Sequence, residues 1–178
     1  MKHALLPTTA LLALLVSACT KDDPDPASQL PPATQTGANT FGCLLNGQPW
    51  APVGNGTSRN FFIDYDTGYP GGLFSLEADK YLNNSPGGFQ LLTIYARPLP
   101  TVGSYDLGDL VHTRVVFSNP STSCSYESRD TDTSCQGTLT ITRLDTQARI
   151  ISGTFSFTLA KPGCDTLKVT QGRFDKKL

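Results

Sequence analysis

Gly137-Thr138-Leu139-Thr140-Ile141-Thr142 and, after a short polar interval, Ile150-Ile151-Ser152-Gly153-Thr154-Phe155-Ser156-Phe157-Thr158-Leu159 carry the reading that decides the fold. In both stretches apolar residues or glycine alternate with Ser and Thr. Side chains of a β-strand point alternately to its two faces, so this period of two predicts strands with one buried face. Residues 143–149 supply the connection between them, Lys161-Pro162-Gly163 the next turn, and residues 167–174 a final strand. The three strands make an antiparallel meander.

Shorter apolar runs lie upstream at 60–65, 72–78, 89–96, 103–107 and 113–118, separated by Gly, Pro, Asn and Asp. None is long enough for a stable helix. Nearer the N-terminus, 41–45 and 48–51 flank Asn46-Gly47, the pair that most readily takes the positive φ angles of a two-residue hairpin turn. Trp50 then packs near the first strand, and Pro49 and Pro52, which donate no backbone hydrogen bond, suit an edge position. About ten short strands predict an all-β antiparallel sandwich, with a small closed barrel as the alternative. With 16 Gly and 13 Pro against a single Met, the composition of the 178-residue chain agrees. No repeat of solenoid or propeller length is present.

The first residues read differently. Met1-Lys2-His3 is a basic start, and 4–16 is an apolar stretch too short to span a bilayer, as in a signal peptide. It runs into Val16-Ser17-Ala18-Cys19, which resembles the lipobox of bacterial lipoproteins: an aliphatic residue, two small residues, then the cysteine that takes the lipid. The expected organisation is a signal peptide over 1–18, lipidated Cys19 and a disordered tether over 19–39, and one all-β domain over 40–178. Thr20-Lys21-Asp22-Asp23 resembles the export signal of surface lipoproteins and implies an outward-facing domain on the outer membrane. A net charge of −1 gives no reason to expect a nucleic-acid partner.

With Cys19 assigned to lipid, Cys43, Cys124, Cys135 and Cys164 remain, an even number in a compartment where disulfides persist. Three pairings are open. The polar interval 125–134 reads as a loop that a Cys124–Cys135 bridge would clip, which leaves Cys43 for Cys164. A zinc site would need closely spaced Cys and His, and the chain lacks that spacing.

Phe41-Gly42-Cys43, Asn46-Gly47-Gln48-Pro49-Trp50, Ile150 to Phe157 and Val169-Thr170-Gln171-Gly172-Arg173-Phe174 together resemble an uncharacterised family of Bacteroidetes-type exported lipoproteins. The matching segments bracket the domain and leave its middle uncovered. The resemblance implies export and β-structure and assigns no catalytic residue.

Candidate chemistry is sparse. A serine nucleophile needs a base, and beyond the leader only His112 is available, without a G-x-S-x-G turn. Asp64 and Asp66 share one strand face, as do Glu77 and Asp79, which admits a carboxylate pair acting on glycosidic bonds. Asp64 and Asp66, and Glu127, Asp130 and Asp132, offer oxygen ligands to calcium, although neither set completes a calcium loop. Asp165-Thr166-Leu167 resembles a short O-glycosylation motif. Aromatic side chains in turn-rich stretches, Tyr69 and Tyr81, together with Trp50, are candidates to stack on a ligand. The expectation is a non-enzymatic binding or structural module without a cofactor. Its partners would be the membrane, through the lipid, and a glycan or envelope protein. A glycan hydrolase and a barrel enclosing an apolar ligand are the alternatives.

Overall fold

A computed structural model describes residues 24–54, 60–82 and 88–178. The expected meander forms the centre of one sheet: β9 (Ser134–Asp145), β10 (Ile150–Ala160) and β11 (Leu167–Lys177) pair antiparallel in sequence order. Here β1 (Thr40–Leu45) joins β11, β2 (Gln48–Trp50) forms one edge, and β6 (Gly103–Asp106) pairs with β9 at the other. The second sheet runs in the order β3 (Phe61–Asp66), β4 (Leu73–Tyr81), β5 (Phe89–Ala96), β7 (Thr113–Ser118) and β8 (Ser125–Glu127). Both sheets are open, so the fold is a sandwich and the barrel alternative falls away.

The alternating residues meet between the sheets. Leu139, Ile141, Ile151, Phe155, Phe157 and Leu159 face Phe74, Leu76, Leu92, Ile94, Val115 and Phe117, all buried. Each such side chain contributes about 1.5–3 kcal/mol relative to exposure. Phe155 lies opposite Gly172 and Phe174 opposite Gly153. A Cβ on Gly172 would sit 2.4 Å from the Phe155 ring, and one on Gly153 2.7 Å from the Phe174 ring. The two glycines therefore make room for two large rings, and Phe174 reaches Phe74 of the other sheet at 5.7 Å between centroids.

The edges of the second sheet cross the ends of the first. At the start of β3, Phe61 packs on Phe41 with centroids 5.3 Å apart and lies under the Lys176 ammonium. Further along β3, Ile63 and Tyr65, with Thr67 just beyond the strand, line a hollow with Thr146, Arg149 and Leu178. Across the opposite end, the Tyr126 hydroxyl of β8 donates to the Asp165 carbonyl. The hairpin has the expected turn, with Asn46 at φ 48° and Gly47 at φ 81°, and Pro49 lies in the edge strand β2.

The disulfide joins Cys124 to Cys164, and Cys43 and Cys135 are free thiols, which corrects the pairing expected from the sequence. The interval between Cys124 and Cys135 is not a clipped loop. It contains β8 and then carries the chain from the second sheet to the first, where Cys135 of β9 lies opposite Leu159 of β10. Ser128 exchanges hydrogen bonds with Val115 on the way. Cys124 instead meets the β10–β11 turn. Closing a loop with a sequence separation of 40 removes about 4 kcal/mol of unfolded-state entropy in the chain-entropy picture. Cys43 is fully buried opposite Trp50, and burial pushes its thiol up to about 12. Burial likewise raises the Cys135 thiol to about 11.

The second correction concerns the tether. Residues 30–39 are bound to the domain, so the folded unit begins before Thr40. Asp25 caps a short 3-10 turn at Pro26–Gln29, Leu30 is buried, and Pro31 packs so closely over Gly42 that a Cβ there would lie 2.6 Å from it. The chain then crosses the outer face of the first sheet. Arg173 and Arg143 donate to the carbonyls of Pro31 and Gln35. At the centre lies Asp175, fully buried, whose carboxylate accepts from the Thr36, Gly37 and Ala38 amides at 2.9, 2.8 and 3.0 Å. It also accepts from the hydroxyls of Thr34 and Ser152, each at 2.7 Å. Consecutive amides converging on one anion form a nest, and Gly37 at φ 76° and Asn39 at φ 58° supply the left-handed backbone that bends the chain around it. The compositional reading missed this because the strap holds few apolar side chains. Most of its hydrogen bonds to the domain go to one acid about 140 residues later in the chain.

Burial alone would raise the Asp175 carboxyl, but the hydrogen bonds from Ala38, Thr34, Ser152 and Gly37 hold it well below the usual carboxylate range. A depressed folded-state value stabilises the fold above the unfolded value of about 4, and that contribution is lost as pH falls below it. Asp175→Asn is therefore expected to cost about 2–4 kcal/mol at neutral pH. It should also flatten the acid limb of the stability curve below about pH 4. Urea unfolding of both proteins across pH 2.5–7 measures the two effects.

Candidate functional site

Three connections converge beside β5: 67–72 after β3, 97–102 after β5, and 107–112 before β7. Gly71 and Gly72, at φ 77° and 78°, turn the first connection back so tightly that a Cβ on Gly71 would lie 2.6 Å from Pro98. The Tyr65 hydroxyl donates to the Leu99 carbonyl at 2.9 Å, and the Leu99 amide donates to the Gly72 carbonyl at 3.1 Å. The third connection is fixed by the Arg97 amide donating to the His112 carbonyl at 2.8 Å. It is also held by Thr113, whose hydroxyl lies 2.8 Å from the Asp109 carbonyl.

Between them lies a concavity of about 330 Å³ lined by Tyr69, Pro70, Arg97, Pro98, Val111 and His112. The Arg97 guanidinium donates to the Tyr69 hydroxyl at 3.0 Å and lies 5.5 Å from the Tyr69 centroid and 5.9 Å from that of Tyr95. Arg97 is half-buried, yet among the described residues it forms no ion pair with a carboxylate. His112 holds Asp109 at 2.7 Å, and that hydrogen bond lowers the Asp109 carboxyl. The lining contributes no serine, threonine or cysteine.

Of the three aromatic candidates, Tyr69 lies in this concavity and the other two do not. Trp50 is a core residue, 2% exposed, with its indole N–H donating to Gln90 at 2.7 Å. Tyr81 is half-buried at the far end of β4, packed on Phe89 across the strand pair. Arg97, which completes the site, was missed in the sequence. Its signal was Tyr95-Ala96-Arg97, in which strand alternation places the ring and the guanidinium on one face.

Glu77 and Asp79 neighbour each other on the outer face of β4, and Asp64 lies on the same face of the paired β3 but lines a hollow with Thr146 and Arg149 and without a second acidic side chain. Burial and then the neighbouring Glu77 raise the Asp79 carboxyl, one oxygen of which is buried without a hydrogen bond. The calcium candidates are otherwise engaged. Asp66 accepts from the Gly68 amide at 2.8 Å, Glu127 forms a two-oxygen pair with Arg114, and Asp130 and Asp132 lie 3.7 and 3.5 Å from Lys161. Among the described residues no three of His, Cys, Asp or Glu are grouped to hold a metal. Thr166 of the glycosylation-like motif is exposed beside the disulfide turn. Cys19 and the export-like residues 20–23 lie outside the described residues.

The burial of Trp50, the single tryptophan, predicts blue-shifted emission that iodide does not quench until the protein unfolds. Quenching in the native state would place the ring on the surface instead.

No curated protein and no solved structure matches the chain. Residues 85–176, just over half of the sequence and running from the start of β5 through nearly all of β11, match the family described as Domain of unknown function (DUF6252). The chain belongs to that family.

Proposed function

We propose that this protein is a lipid-anchored component of a bacterial cell envelope whose sandwich acts as a non-enzymatic binding or structural module at the outer surface. The observation that carries the reading is Val16-Ser17-Ala18-Cys19, an aliphatic residue and two small ones before a cysteine, at the end of a basic and then apolar leader. Two or more acyl chains on that cysteine give stable membrane attachment without a spanning segment. No helix among the described residues is long and apolar enough to cross a membrane. Thr20-Lys21-Asp22-Asp23 supports outward display.

The docked strap sharpens this proposal. If residues 19–39 were all free, the domain could stand about 70 Å from the lipid. Because the chain is buried again at Leu30, only residues 20–29 separate lipid from fold, a reach of at most about 36 Å. The domain then rides close to the membrane, and its partners are envelope molecules at that height. The concavity around Tyr69 and Arg97 supports the binding role, since it pairs aromatic faces with a cation that has no carboxylate partner.

Metabolic acyl labelling of wild type and Cys19→Ala, combined with protease treatment of intact cells, tests the proposal. Labelling is expected to vanish in the variant, and intact cells are expected to lose the domain to protease. Labelling that persists without Cys19 would overturn the anchor, and a domain protected until the outer membrane is opened would overturn surface display.

A further inference from the structure

We propose that the concavity between the 67–72, 97–102 and 107–112 connections binds a carboxylate carried on a six-membered ring, with Arg97 as the group that recognises the anion. This rests on the binding half of the proposed function and not on lipid attachment.

Arg97 carries the argument. A half-buried guanidinium has lost part of its hydration and needs hydrogen-bond acceptors in exchange. Half-buried Arg143 pairs with Asp145, and half-buried Arg173 reaches the carbonyls of Pro31 and Gln171 and the Gln171 side chain. Among the described residues Arg97 has no carboxylate, and the acceptor of its side chain is the Tyr69 hydroxyl. Its planar group lies near two tyrosine rings, a favourable use of its faces that leaves the N–H edges free for ligands. One of those donors goes to the Tyr69 hydroxyl, which fixes the orientation of the fork. No Arg97 nitrogen is buried without a partner, so its remaining donors reach solvent, and the residue lines the concavity. A fork held in this way suits a carboxylate, which it meets with two parallel hydrogen bonds.

The rest of the lining selects what bears the anion. Pro70, Pro98 and Val111 are apolar, Val111 is 72% exposed, and the Tyr69 ring stands beside them. Such surfaces favour the flat apolar face of a ring over a compact, fully hydrated anion. A volume of about 330 Å³ has room for a ring with its substituents. Asp109, the nearby acid, is tied to His112 at 2.7 Å. The chemistry is shared by a uronic acid at the end of a glycan and by an aromatic carboxylate.

Titration of the full chain, purified in detergent, with glucuronate, benzoate, glucose and inorganic phosphate, followed by calorimetry and by ¹⁵N chemical shifts, tests the inference. At least one ring carboxylate is expected to bind about tenfold or more tighter than glucose and than phosphate. Preference for glucuronate identifies a sugar acid, and preference for benzoate an aromatic one. Arg97→Gln is expected to weaken that binding by about tenfold or more, whereas Tyr69→Phe, which only frees the fork, has a smaller effect. Should Arg97→Gln fail to fold, Arg97→Lys serves, because a point charge cannot reproduce the fork and loses most of the preference. Absence of binding by both ring carboxylates, phosphate binding as tightly as either, or affinity unchanged in the Arg97 variants would overturn it. Any of these with acyl labelling still dependent on Cys19 leaves the anchor standing and removes the ligand site alone.

Discussion

The carboxylate of Asp175 gathers three consecutive backbone amides and three hydroxyls onto the outer face of the first sheet, and residues 34–38 are held there by that contact. A buried charge is costly, and it is retained because six donors replace its water. The cost and the compensation belong to different parts of the sequence: the acid comes with β11, Ser152 with β10, and the remaining donors with the strap. Strap and sheet are therefore interdependent. Removing the acid leaves buried amides without acceptors, and removing the strap leaves a buried acid without most of its donors.

The rest of the sandwich shows how the two sheets are held against each other. Phe155 and Phe174 fill the space left by Gly172 and Gly153, and their rings extend the core toward Phe41 and Phe74. The Cys124–Cys164 bridge and the Tyr126–Asp165 hydrogen bond close one end, while β3 covers the other. The ends are thus fixed by a covalent link and by packing, and the outer face of the first sheet by the strap. The connections around Tyr69 and Arg97 are secured by backbone hydrogen bonds and by glycines, so the concavity between them is shaped before any ligand arrives.

What could be read in advance divides along physical lines. The β9–β10–β11 meander and the Asn46-Gly47 hairpin were legible because strand period and turn chemistry are local properties. β8 was not, since Ser125-Tyr126-Glu127 is too short and polar to show a period, and with it went the disulfide pairing. Cys124 and Cys135 are near in sequence, but Cys124 leads into β8 of the second sheet and Cys135 lies in β9 of the first, and sequence distance carries no information about which sheet a strand joins. The strap was misread for the same reason: its composition is that of a free linker, and its partner Asp175 is a single acid on a distant strand. Of the site, Tyr69 was visible as an aromatic among turn residues, while Arg97 gained its meaning only when three connections met around it.

Amide hydrogen exchange at Thr36, Gly37 and Ala38 tests the Asp175 clamp most directly. In wild type these three amides are expected to be protected to a degree comparable with the strands that flank them, because opening the strap breaks the hydrogen bonds that tie it to the carboxylate. In Asp175→Asn their protection should fall well below that of β9 and β10, with the sheets themselves still protected. Fast exchange at all three positions in the wild-type protein would contradict the account, and the chain before Thr40 would then be the free tether that its composition suggests.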